Sequence, residues 1–90
     1  MIENKVTDRI EVAYRVRLGP QAFAAKAMAY LMRGNNAVAV LLSKGEKRLR
    51  PGDVYFSGAL GCYAVVLSVD GFDTERQHLT IADEEEFTRG

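Results

Sequence analysis

The residues of this chain best suited to chemistry lie where a strand-like pattern gives way to a helix-like one. Leu18, Gly19 and Pro20 end the first pattern, and Gln21 and Phe23 open an Ala-rich stretch. The first N–H groups of a helix have no intrahelical partner, and the helix dipole attracts anions to that end. A side chain there is suited to phosphate, but the amide of Gln21 is no nucleophile. We therefore expect recognition at this position.

A second cluster is basic and lies between two predicted strands. Lys44-Gly45-Glu46 is typical of a tight turn, and Lys47, Arg48 and Arg50 follow it. Nucleic-acid-binding domains use such clusters, but usually in a basic domain with aromatic residues interleaved. The chain has a formal net charge of zero. We expect a solvated hairpin, and keep nucleic-acid binding or assembly through residues 44–50 as an alternative.

The remaining reactive residues are isolated. His78 has no cysteine or acid pair arranged around it, so a solvated side chain is expected. Cys62 begins an apolar run, where a packed thiol is expected because nothing nearby in sequence lowers its pKa. The acids of 83–86 would spread around a helix and cannot converge on one ion. We predict no metal site, no cofactor and no catalytic residue.

Composition limits the class of protein. Ninety residues with 48% apolar content suit one domain, 1–90, with one modest core. No apolar run approaches the roughly 20 residues that span a bilayer, and a cytoplasmic protein is expected. Residues 1–50 hold ten Lys/Arg against four Asp/Glu, a net +6, and residues 51–90 hold two against eight, a net −6. Two arrangements remain open: the folded protein has one basic and one acidic side, or the two halves of the chain interleave and their charges mix.

Periodicity predicts the elements. Alternation over 10–18 predicts a strand, Pro20 and Gly34 bound a helix, and the apolar run 37–42 predicts a central strand covered on both faces. A short strand at 47–50 follows. Asp53 suits the N-cap of a poor helix over 54–60, and 63–69 is the last clear strand. Residues 74–87 favour a helix, because Thr74 and Gln77 have capping-box spacing. Alternation at 79–81 keeps a strand open there.

The resulting order is β-α-β-β-α-β-α. Neighbouring strand pairs favour antiparallel pairing, with the helices on one face. We predict an α+β fold, an open-faced two-layer sandwich of a four-stranded antiparallel sheet and helices.

Three short motifs carry a family resemblance: Gly19 to Ala25 at the helix start, Lys44-Gly45-Glu46-Lys47, and Val69-Asp70-Gly71-Phe72-Asp73. With the order of elements, they resemble HPr, the small phosphocarrier of the bacterial sugar phosphotransferase system. The resemblance spans roughly residues 9–82. It implies that Gln21 stands where the family has its phosphate-carrying His, and Phe23 where it has an Arg. Asp53 takes the place of a regulatory Ser that caps the second helix.

The resemblance implies a diverged, non-catalytic HPr-like module that is not an enzyme. We expect it to dock to a protein partner through the helix mouth and the second-helix segment, a surface formed by Gln21, Phe23, Asp53, Val54, Tyr55 and Phe56. A phosphotransferase-system enzyme, a kinase or a transcription regulator would be such a partner. A phosphocarrier with an altered site is the first alternative, and the oligomeric state stays open.

Overall fold

A computed structural model describes residues 12–16, 18–43 and 48–89. Its elements are β1 (Val12–Arg15), α1 (Pro20–Arg33), β2 (Ala37–Leu42), β3 (Asp53–Ser57), β4 (Cys62–Phe72), β5 (Arg76–Asp83) and α2 (Glu84–Arg89). The fold is α+β. The predicted turn at 44–46 lies outside the described residues, and 48–50 forms no strand.

The helix α1 begins and ends where the sequence predicts. Pro20 occupies its first turn, where the missing N–H costs nothing. Gly34 ends it in the left-handed conformation, with φ of 78°, and donates its N–H to the Leu31 carbonyl at 3.1 Å. Local signals at both ends therefore fix this helix.

The described strands form one antiparallel sheet of five strands in the order β1-β3-β4-β5-β2. The predicted four-stranded sheet is therefore wrong in number. The apolar segment 37–42 is a strand, but it lies at an edge of the sheet rather than at its centre. Its alternate residues Val38, Val40 and Leu42 are exposed, so the predicted cover on both faces is absent for this strand.

The predicted helix over 54–60 is wrong, because residues 53–57 form β3, which pairs with β1 and β4, and residues 58–60 form a turn. Gly52, with φ of 94°, precedes the strand, and Gly61, with φ of 73°, closes the turn into β4. Both glycines adopt the left-handed backbone that side chains disfavour. A hairpin therefore forms where a capped helix was expected.

The predicted helix over 74–87 is also wrong for most of its length. Residues 76–83 form β5, and only residues 84–89 are helical. Thr74 and Gln77 form no capping box. Gln77 is instead buried against Leu49, and the Asp73 carboxylate accepts the N–H groups of Glu75 and Arg76 at 2.9 and 2.8 Å.

Apolar clusters lie on both faces of the sheet. On one face, α1 and α2 cover Val16, Val54, Val65, Leu67 and Ala82, with Phe87 of α2 at the centre. The second cluster combines Leu41, Leu49, Tyr55, Ala64, Val66, Leu79 and Ile81. The 48–50 segment therefore covers part of the sheet face opposite the helices, which the predicted open-faced sandwich leaves uncovered.

No helix in the described ranges is long and apolar enough to cross a membrane.

Candidate functional site

The mouth of α1 is exposed, as the sequence requires for recognition. Gln21 is the second residue of the helix and is exposed. Gly19 occupies the N-cap without a side-chain cap, and its carbonyl accepts the Phe23 N–H at 2.8 Å. The N–H groups of Gln21 and Ala22 precede the first such helical bond and lie at the positive end of the helix dipole.

Phe23 contributes more to packing than to an open surface. Its ring lies 5.7 Å from the ring of Phe87, and the side chain is half-buried. Lys26 adds to the same junction, because its Nζ lies 5.4 Å from the centre of the Phe87 ring and donates to the Thr88 carbonyl. Phe23 therefore helps to hold α1 against α2.

The segment 53–56 divides into buried and exposed residues. Asp53 is buried and accepts the Arg50 N–H at 2.8 Å, so its carboxylate stabilises the turn before β3 rather than capping a helix. Val54 and Tyr55 are buried in the two opposite clusters. Adjacent residues of a strand point to opposite faces of the sheet, and both faces are covered at Val54 and Tyr55. Only Phe56 of this predicted contact segment is exposed.

Phe56 lies against an aromatic neighbour that the sequence analysis missed. Tyr63 stands opposite Phe56 in the β3–β4 register, and their rings meet edge-to-face at 5.4 Å with an interplanar angle of 86°. Phe56 is 40% exposed and Tyr63 46% exposed. Leu60, in the turn of the same hairpin, is also exposed. We call Phe56, Leu60 and Tyr63 the hairpin patch.

The structure does not bring the hairpin patch and the helix mouth together. Val16, just before α1, bonds to Gly52 at the start of β3. Leu60 instead shares an open cleft of about 390 Å³ with Gly34, at the other end of α1. A helix of 14 residues is about 21 Å long. The predicted docking surface therefore separates into two surfaces at opposite ends of the helix.

The same cleft contains the cysteine. The Cys62 thiol donates to Asp83 Oδ2 at 3.5 Å, and burial followed by this carboxylate raises the pKa of the thiol. Tyr30 donates to Glu86 Oε1 at 2.6 Å, and burial together with that bond raises its pKa to about 12. A protonated thiol and a protonated phenol are weak nucleophiles at neutral pH.

The other candidate residues lie apart from this cleft. Arg48 stacks on Phe72 at 4.6 Å and donates to the Asp73 carbonyl, whereas Arg50 is exposed. Lys44 and Lys47 lie outside the described residues. His78 is exposed on β5. Within the described ranges, no three His, Cys, Asp or Glu side chains are grouped to hold a metal ion.

No known protein family matches the chain, and neither a curated protein nor a solved structure matches it.

Proposed function

We propose that this chain is a non-catalytic binding module that docks to a protein partner through the hairpin patch. The observation that carries the proposal is the exposed Phe56–Tyr63 pair, two aromatic rings held in register on adjacent strands. The proposal keeps the docking role that the HPr resemblance implies. It replaces the second-helix contact segment with a hairpin surface.

The patch has the properties of a contact centre. Aromatic side chains are enriched among the residues that dominate binding energy. Each ring here is already restrained by the other ring and by the strand backbone, so binding would immobilise few free rotamers. Leu60 is a third exposed apolar side chain, in the turn of the same hairpin. A partner with an exposed apolar group therefore fits the patch.

The surroundings of the patch favour a partner with a basic rim. Leu60 lines the cleft that also contains Asp83 and Glu86, and α2 carries Glu84, Glu85 and Glu86 in its first turn. Opposite charges around a contact accelerate association and select the partner. An apolar centre with lysines or arginines beside it is the complementary surface.

The test is affinity capture from native cytoplasm with the wild type and a Phe56→Ser/Tyr63→Ser variant. Met28→Ser/Met32→Ser is the matched control, since it removes two exposed apolar side chains from α1 instead. The expected result is a protein retained by the wild type and by the control but lost from the hairpin variant. Equal retention by all three folded proteins would contradict the proposal.

A further inference from the structure

The strand β2 has an unusual edge for a small sheet. It pairs with β5 on one side only among the described residues. Half of the backbone N–H and C=O groups of such an edge strand point away from the sheet. On the face of the strand, Val38 is 81% exposed, Val40 51% and Leu42 46%. An open hydrogen-bonding edge and an aliphatic row thus coincide.

Nothing in β2 itself blunts this edge. Its six residues contain no charge, proline or glycine, and they pair with β5 in an unbroken register. Natural edge strands are usually protected by lysine, proline or a bulge. The opposite edge shows the contrast, since β1 has a register shift between Val12 and Tyr14 and ends with Arg15.

We propose that β2 pairs with β2 of a second copy of this chain, in antiparallel orientation across a two-fold axis perpendicular to the sheet. Such an axis keeps both helical layers on the same face of a continuous ten-stranded sheet, twice the five strands of one copy. Directly opposed residues of antiparallel strands point to the same face. The axis must therefore pass midway between one residue and the same residue of the second copy.

The three exposed aliphatic residues of β2 determine which residue faces its own copy. With Val40 on the axis, Val38 lies opposite the second copy's Leu42, so all three exposed aliphatics gain an aliphatic neighbour. With Ala39 on the axis, Leu42 would instead lie opposite Asn36. The first register joins six aliphatic side chains into one patch, and cross-strand pairs of this kind stabilise a sheet. Val40 is therefore the axis residue.

Charge favours a second copy over a charged peptide. The row has no charge of its own, and on the same face of β5 it lies beside Arg76 and His78, which pair with Leu42 and Val40. In the dimer the two His78 side chains stand three strand spacings apart, about 14 Å. This exceeds the screening length of about 10 Å at 0.1 M salt. These side chains therefore do not oppose self-pairing.

The first test is sedimentation velocity over a concentration series. A single six-residue edge is small compared with interfaces of about 1,200 Å² or more, so the dimer should be weak and visible between about 10 µM and 1 mM. The expected mass rises from 10.0 kDa toward twice that value. Val40→Lys should abolish the rise, because two ammonium groups would meet at the axis, whereas Met32→Lys on α1 should retain it.

The second test reads the register directly by disulfide formation, in a Cys62→Ser background. Val40→Cys should cross-link efficiently, since residues opposed across antiparallel strands are within the roughly 4.4–6.8 Å that a disulfide spans between Cα atoms. Val38→Cys should not, because two copies of residue 38 would lie about 14 Å apart along the strands. A constant monomer mass, or cross-linking of Val38→Cys as readily as of Val40→Cys, would overturn the proposal.

Discussion

The side chain of Gln77 provides a stability prediction that depends on the observed fold. Gln77 is 2% exposed on β5. Its Nε2 donates to the Leu49 carbonyl and its Oε1 accepts the Leu49 N–H, both at 2.8 Å. Leu49 is itself 1% exposed. These two bonds therefore satisfy the backbone N–H and carbonyl of Leu49, which are buried away from water. They also hold the 48–50 segment over the second apolar cluster.

Replacing Gln77 with Leu keeps the side-chain size and removes both hydrogen bonds. Each buried backbone group left without a partner costs about 1–3 kcal/mol, and the added apolar surface offsets part of this. We expect the free energy of unfolding to fall by about 2–4 kcal/mol. That is a large share of the roughly 5–15 kcal/mol typical of a domain.

Urea unfolding followed by circular dichroism measures this change. His78→Leu is the matched control, since it introduces the same side chain at the neighbouring exposed position of β5. We expect it to change the free energy of unfolding by no more than about 0.5 kcal/mol. Similar effects of the two variants would refute the buried placement of Gln77, because an exposed glutamine in a helix would be as replaceable as His78.

Three further predictions concern backbone strain and ionisation. Gly34→Ala should lower stability by about 1 kcal/mol in thermal or urea unfolding, because Gly34 holds a φ of 78° at the end of α1. Stability should fall as the pH rises from about 10 to 12. The phenols of Tyr30 and Tyr55, raised from 10.0 to about 12 in the folded state, stay protonated there while those of the unfolded chain ionise. Stability measured across that pH range should be flat if neither phenol is buried. At pH 8, Cys62 should react with a disulfide reagent more slowly in the folded protein than in urea, and Asp83→Asn should accelerate the folded-state reaction, because the carboxylate contributes to the raised pKa of the thiol.

Elements with local signals could be predicted from the sequence. Proline and glycine bound α1, and the apolar run 37–42 coincides with β2. The predicted helix over 74–87 would have placed the acidic residues 84–86 near its C-terminal end, where acids are unfavourable. Glu84 to Glu86 suit a helix N-terminus, and they do form the first turn of α2, where Asp83 Oδ1 accepts the Glu86 N–H at 3.1 Å.

The segments that failed depend on partners distant in sequence. Val54 and Tyr55 are adjacent yet both buried, because β3 lies between β1 and β4 and is covered on its two faces. Alternation cannot reveal such a strand. The side chain of Gln77 likewise has capping-box spacing from Thr74, but Leu49, 28 residues away, provides its partner. Tertiary pairing overrode the local preference in both segments.

The candidate surface was only partly accessible to sequence reasoning. Phe56 was among the residues expected to form the docking surface, and it is the exposed residue of the segment 53–56. Tyr63 carried no comparable signal, since it reads as one residue of an apolar strand. The hairpin register that places it against Phe56 is a property of the fold alone.

The central claim is that the Phe56–Tyr63 pair anchors a protein partner, and isothermal titration of the purified captured partner tests it most directly. Truncating an aromatic anchor at the centre of an interface costs about 2 kcal/mol or more. Phe56→Ala should therefore weaken binding by roughly 30-fold, and Met32→Ala should leave the affinity unchanged. A partner that binds wild type and Phe56→Ala with equal affinity would contradict the claim.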